Sequence, residues 1–251
     1  MGLTIHYRLK SSLRSASQIR PLLQQLRSRA LDLPFKVVGP LVTLHGPECD
    51  YESRDQKDPH RWLLIQSGEY LERDWPGYGT CTHQVPPTHL IAFSTWPGEG
   101  CEQANFGLCR YPATIAVRDP RQPARFQSIR TKLSGWRWCS FCKTQYASDP
   151  RHGGVEHFLR CHLSVIRILD TAMKLSLLGE VNDEGGFWLG RDLMALAREV
   201  GDWNTMIAGW IGRIKDQLGE EVEAPITQYS NFEQLEAAGR AHESLIPGDL
   251  A

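Results

Sequence analysis

The sequence predicts an α+β fold, in which an antiparallel or mixed sheet from the N-terminal 150 residues packs with helices from the C-terminal 100. Before residue 150, short apolar segments alternate with polar residues or are bounded by Gly and Pro, whereas beyond residue 153 apolar residues recur every three or four positions. The early segments are separated by few residues, which favours hairpins over strands joined by crossover helices. We therefore expect regions 1–150 and 151–251 to share one core.

The chain opens with a predicted strand, helix and strand. Residues 3–9 alternate between apolar and polar side chains, which is typical of a strand with one face in water. Apolar residues then recur at helical spacing over 19–30, and Ser15 or Ser17 can cap that helix. The segment 35–44 predicts a second strand, which Gly39 and Pro40 interrupt.

The middle of the chain predicts a surface loop and several short strands. Residues 45–60 are polar and rich in turn formers. Strands are expected after this loop at 62–66, 90–95, 114–117 and 136–146.

The C-terminal region predicts helices. One apolar face extends from Val155 to Met173, and a second covers 193–218, where Gly201 and Asp202 are expected to break the helix in two. A short last helix is expected over 232–245. The acids and glycines at 183–186 fall between predicted helices, where a polar loop is expected.

Composition favours a soluble protein of the cytoplasm. The net charge is −1, which gives no general attraction to nucleic acid or membrane, and no apolar run is long enough for a signal peptide or a membrane span. Seven cysteines, an odd number, suggest a reducing compartment in which they act as thiols, ligands or nucleophiles. No sequence motif of nucleotide-binding proteins or zinc proteases is present. The oligomeric state stays open.

A cysteine and histidine pattern predicts a zinc site. Cys139 and Cys142 are followed after fourteen residues by His157 and then by Cys161, a spacing that suits a tetrahedral zinc ion. The arrangement resembles a treble-clef site, in which a knuckle on a hairpin meets ligands from the first turns of a helix. His162 is the substitute for Cys161. In the alternative interpretation, 136–146 is an unbroken strand, the two cysteines point to opposite faces, and these residues are structural thiols and a core histidine.

A basic segment predicts a surface for nucleic acid or for an acidic protein. Residues 118–143 contain seven Lys or Arg against one acid, Asp119. Arg121, Arg125 and Arg130 are the expected phosphate contacts, and Trp136 and Trp138 are the expected stacking residues. An arginine-rich loop followed by a core strand has the same composition, so a purely structural interpretation stays open.

The turn before Cys101 predicts a second kind of site. Glycines at 98 and 100 expose backbone N–H groups, and a cysteine beside them can act as a nucleophile if a histidine reaches its sulfur. His83 and His89 are the candidate histidines. The same residues also form an ordinary tight turn.

Two functions follow from these patterns. The first is a binding or regulatory protein, stabilised by zinc, that uses the basic segment against an acidic partner or nucleic acid. The second is a hydrolase-type enzyme in which Cys101 or Cys142 works with a histidine.

Overall fold

The fold is described by a computed structural model for residues 3–219 and 221–243. The strands are β1 (Thr4–Ser11), β2 (Val37–Val38), β3 (Val42–His45), β4 (Glu69–Trp75), β5 (Gly79–Val85), β6 (His89–Phe93), β7 (Thr95–Trp96), β8 (Phe106–Arg110), β9 (Thr114–Asp119), β10 (Gln122–Arg130), β11 (Trp136–Lys143) and β12 (Leu178–Asp183). The helices are α1 (Ala16–Leu31), α2 (Arg61–Gln66), α3 (Gly154–Lys174), α4 (Phe187–Gly190), α5 (Leu193–Leu218) and α6 (Phe232–Glu243). The antiparallel sheets lie in the N-terminal part and most of the helical residues in the C-terminal part, which confirms the α+β prediction.

The main sheet has six strands in the order β12-β1-β11-β8-β6-β3, and each neighbouring pair is antiparallel. Strand β1 has the predicted alternation, with Ile5, Tyr7 and Leu9 buried and the residues between them exposed. Three two-stranded sheets stand beside it, formed by β2–β7, β4–β5 and β9–β10. The main sheet therefore has one face in the core.

Helices α1 and α3 cover that core face. Ile19, Leu23 and Leu26 of α1 and Val165 and Leu169 of α3 belong to the same buried apolar cluster as β1, β6 and β11. At about 25 cal/mol per Å² of apolar surface removed from water, this shared burial is the main favourable contribution to folding. A smaller apolar cluster joins Phe158 and Cys161 of α3 to Leu196 and Val200 of α5.

Several elements differ from the prediction. The segment 62–66 is helix α2 rather than a strand, because a short apolar run has no period that separates the two and Leu63 and Leu64 are buried side by side. Helix α5 runs unbroken through Gly201 and Asp202, both of which are tolerated on its surface. The predicted end of the last helix at Leu245 lies outside the described residues.

The predicted polar loop at 183–186 is present as a turn over 184–186, but Asp183 is the last residue of strand β12. This strand extends the main sheet, and the Asp183 carboxylate is buried rather than solvated. Its Oδ1 accepts a hydrogen bond from the backbone N–H of Gly185 at 3.0 Å, and its Oδ2 accepts one from Trp188 at 2.8 Å. The Nε2 of His162, also buried, lies 3.3 Å from Oδ1. Thr144 completes the contact on the other side, 3.0 Å from the histidine Nδ1.

Burial alone raises the pKa of Asp183, but the contact with His162 and the two backbone donors outweigh it and lower the pKa below its ordinary value. At pH values above the ordinary pKa of an aspartate, the ionised carboxylate therefore stabilises the native state. That stabilisation is lost as the pH falls through the lowered native pKa.

We predict that Asp183→Asn destabilises the protein at neutral pH by about 2 to 4 kcal/mol, because it leaves buried His162 without its charged partner. The difference in melting temperature between the variant and the unmodified protein should narrow as the pH falls below the ordinary pKa range of an aspartate, because Asp183 itself then becomes protonated. Thermal melting across this pH range makes the measurement. Asp202→Asn, on the exposed face of α5, is the matched control and should melt like the unmodified protein. If the difference in melting temperature between Asp183→Asn and the unmodified protein stayed constant with pH, ionised Asp183 would not be the stabilising partner of His162.

Candidate functional site

The turn before Cys101 packs directly on helix α3. The turn closes where the backbone N–H of Cys101 donates to the carbonyl of Gly98 at 3.1 Å. Gly98 lies so close to the helix that a Cβ on it would come within 2.8 Å of His157 Cε1 and 2.9 Å of Cys161 Sγ. Gly100 has a φ of +74°, and a Cβ there would meet the carbonyl oxygen of Tyr146 at 2.2 Å. A side chain at either position would overlap the neighbouring segment, so this packing requires glycine at both.

This packing brings two thiols together. Cys161 is fully buried one helical turn after His157, and Cys101 is partly exposed on the facing turn. Cys101 packs against the apolar cluster that contains Cys161. Interaction with the Cys101 thiol lowers the pKa of Cys161; burial opposes this effect and the charge of Arg160 reinforces it. The same interaction, together with burial, raises the pKa of Cys101. Within the pair, Cys161 is therefore the thiol that loses its proton more easily.

The hydrogen bonds of His157 fix its proton on Nε2. Nδ1 lies 2.6 Å from Nη2 of Arg160, a guanidinium nitrogen that can only donate. Nε2 lies 3.0 Å from the carbonyl oxygen of Glu99, which can only accept. Nε2 therefore carries the hydrogen, and it lies 3.6 Å from Cys161 Sγ. Because Nε2 donates to Glu99 and Nδ1 accepts from Arg160, His157 has no free lone pair with which to take a proton from the Cys161 sulfur.

Cys142 is the third thiol near this pair. Its S–H donates to the carbonyl of Glu102 at 3.2 Å, in the residue after Cys101. Burial raises its pKa, and the negative charges of Glu102 and of Cys161 raise it further. Cys142 is therefore a neutral thiol beside the other two.

A pocket of about 330 Å³ gives access to Cys101 from solvent. Its wall combines the partly exposed Cys101 with cationic and aromatic side chains, among them Lys143, Tyr146, Arg151 and Tyr229. Arg151 is held by the buried carboxylate of Asp149 at 2.5 Å, and the Lys143 ammonium lies 4.6 Å from the centre of the Tyr146 ring. Of the two cysteines, Cys101 lines this pocket and Cys161 does not.

The structure separates the four predicted zinc ligands. Strand β11 is unbroken, so Cys142 points into the core and Cys139 points to solvent beside Arg8 of β1. His157 and Cys161 lie together on α3, and Cys142 donates to the carbonyl of Glu102, the residue after Cys101. No group of three or more His, Cys, Asp or Glu residues suited to a metal ion occurs within 3–219 and 221–243. His162, the proposed substitute, faces Asp183 instead. Zinc stays a prediction, without a four-ligand cluster to support it.

The predicted histidine partners of Cys101 lie elsewhere. His83 lies on β5, opposite Leu71 of β4. His89 begins β6, where its ring contacts His45 and Trp136 and where burial lowers its pKa. The histidine at the thiols is His157. His157 was predicted as a zinc ligand, because its 56-residue separation from Cys101 hides the contact between its helix and the turn that precedes Cys101.

The predicted stacking residues are not at the surface. Trp136 and Trp138 are each 1% exposed, on the core face of β11, and the indole N–H of Trp138 donates to the carbonyl of Asn105 at 2.9 Å. Arg121 is held by the carboxylate of Asp119 at 2.8 Å. Arg125 and Arg130 are exposed on β10.

Comparisons with models of protein families, with curated proteins and with solved structures found no match. In the part of the chain that the structure describes, no helix is long and apolar enough to cross a membrane.

We predict that Gly98→Ala weakens the contact between the turn and α3, because the added Cβ overlaps His157 and Cys161. The free energy of unfolding should fall by about 1 to 3 kcal/mol in denaturant titrations. Gly201→Ala is the matched control, since nothing lies within 4 Å of a Cβ at this helical position. The control should be neutral or gain up to about 1 kcal/mol. Equal stability of the two variants would show that the turn does not depend on this contact.

Proposed function

We propose that the protein takes part in thiol–disulfide exchange, with Cys101 and Cys161 forming a reversible disulfide. The observation that supports this most is the packing of Cys101 against the cluster that contains Cys161, where the pKa of Cys161 is lowered and Cys101 lines a pocket. A sulfur that is easily deprotonated beside a second, accessible sulfur is the arrangement that exchange with a disulfide requires.

The proposed reaction begins at Cys101. Its proton passes to the neighbouring Cys161 sulfur, and the Cys101 thiolate attacks one sulfur of a substrate disulfide in the pocket. This forms a mixed disulfide and releases the other substrate sulfur as a thiolate, which takes up a proton. Cys161 then loses its proton and attacks the Cys101 sulfur, forming the Cys101–Cys161 disulfide and releasing the second substrate thiol. Two electrons pass from the pair to the substrate, and a thiol reductant returns them.

His157 favours this reaction over the hydrolase alternative. A cysteine hydrolase uses a histidine nitrogen with a free lone pair as the base for its thiol. Here Nδ1 accepts from Arg160 and Nε2 carries a hydrogen that donates to Glu99. A donor at 3.6 Å from Cys161 instead stabilises a thiolate, which is the leaving group when the disulfide is reduced again.

We predict that mild oxidation by a small disulfide such as oxidised glutathione produces a Cys101–Cys161 disulfide, identified by mass spectrometry of digested protein. This cross-link should raise the free energy of unfolding by about 2 to 4 kcal/mol, because it restricts the unfolded chain. Cys101→Ser and Cys161→Ser should both abolish the cross-link and the gain.

Cys139→Ser is the control for this experiment, because Cys139 is an exposed thiol on the opposite face of β11. It should leave the disulfide and the gain in stability intact. A cross-link that involves Cys142 in place of Cys161 would count against the proposal, as would oxidation that yields only mixed disulfides at Cys139.

We also predict that Arg160→Gln shifts the pH dependence of the pair's alkylation to higher pH. The charge of Arg160 helps to lower the pKa of Cys161, so its removal leaves less thiolate at a given pH. The measurement follows the rate of iodoacetamide labelling at Cys101, the partly exposed member of the pair, against pH. Arg167→Gln, an exposed arginine further along α3, is the matched control and should leave the profile in place. Equal profiles for both variants would contradict the thiolate assignment.

A further inference from the structure

The β9–β10 hairpin carries a basic surface that is separate from the thiols. Its inner face packs against the β4–β5 hairpin, where Nη2 of Arg73 donates to Gln127 at 3.2 Å. Trp75, 2% exposed, lies between the guanidinium groups of Arg73 and Arg121, at 4.5 and 5.5 Å from its ring centre. This packing fixes which face of the hairpin points outwards.

The outer face combines arginines with an exposed ring. In the strand register Phe126 pairs with Arg118, Ser128 with Ala116 and Arg130 with Thr114. Phe126 is 57% exposed, and the Arg118 guanidinium lies 5.4 Å from its ring centre. Arg125 is exposed next to Phe126, where the register shifts. We call Arg118, Arg125, Phe126 and Arg130 the arginine face; its small neighbours Ala116 and Ser128 leave it flat.

Arg121 does not belong to this surface. Its guanidinium donates twice to Asp119, a nearly buried carboxylate whose pKa is lowered chiefly by these hydrogen bonds. The same carboxylate accepts from Gln127 across the hairpin. Arg121 therefore holds the turn between β9 and β10. Asp119 is also the only acid between Glu102 and Asp149 in the sequence, so the outer face has no acid of its own.

We propose that the arginine face binds single-stranded nucleic acid. Arginines without acidic neighbours contact phosphates, and an exposed phenylalanine beside a guanidinium stacks on a base. An acidic protein would use the charges but would have no need of the exposed ring. The net charge of −1 supplies no long-range attraction, so the binding depends on this local patch and is sensitive to salt.

The test measures binding of fluorescent oligo-dT and oligo-U of about fifteen nucleotides by anisotropy, from about 50 to 200 mM salt. Loss of three phosphate contacts in Arg118→Ala, Arg125→Ala and Arg130→Ala combined should lower the slope of log affinity against log salt by about two. Phe126→Leu should weaken binding roughly tenfold while leaving the slope unchanged, because it removes stacking and no charge. The three single arginine variants give the same readout if the combined variant does not fold.

The matched control removes the same charge elsewhere. Arg29, Arg167 and Arg198 are exposed on α1, α3 and α5, and their combined replacement by Ala should leave affinity and slope nearly unchanged. An equal loss in both sets would overturn the proposal, as would the absence of binding at the lowest salt. Two other results would also overturn it: polyglutamate competing as well as the oligonucleotides, or Phe126→Leu binding like the unmodified protein. Both would indicate an acidic protein as the partner. Tighter binding to a duplex of the same sequence would equally contradict it.

Discussion

The antiparallel pairing of β1 with β11 determines which side chains are free for chemistry. The two strands pair in continuous register from Thr4 with Lys143 to Ser11 with Trp136. Because no bulge interrupts this pairing, successive side chains of β11 alternate strictly between the helix-covered core and solvent. Cys142 and the tryptophans at 136 and 138 are consequently enclosed, while Cys139 is left outside. One residue of slippage would exchange these roles.

Helix α3 packs on the core face of this sheet and brings side chains from several segments together. His157 and Cys161 meet the turn that ends at Cys101, and His162 lies between Thr144 and Asp183. Helix α3 thereby contacts three other segments, namely the turn at 98–101, Thr144 and Asp183. Its polar residues are buried because each has a partner there, which avoids the cost of an unpaired polar group in the core.

The elements with a clear period could be predicted from the sequence, and the contacts between them could not. Strand β1 and helix α3 each bury one face, so apolar residues recur in the sequence with the period of a strand or of a helix. Burial in strand β4 does alternate, but polar Glu69 and Arg73 lie on its inward side and Tyr70 on its outward side, so the sequence shows no matching alternation. In β5 only Val85 is buried, which leaves no period to recognise. The glycine turn before Cys101 and the His157 and Cys161 pair were both singled out. Their meeting depends on how the turn docks on α3, and no local spacing records that.

Burial does not by itself decide the reactivity of the thiols, as a comparison of Cys142 with Cys161 indicates. Both side chains are fully buried, and burial disfavours the thiolate of each. The Cys142 thiol donates a hydrogen bond to the carbonyl of Glu102 and lies near the negative charge of that residue, so both contacts favour the protonated thiol. Cys161 instead interacts with the Cys101 thiol and lies near the positive charge of Arg160, and both effects lower its pKa. The neighbours of each sulfur, and not burial, therefore determine in which direction its pKa moves within the same core.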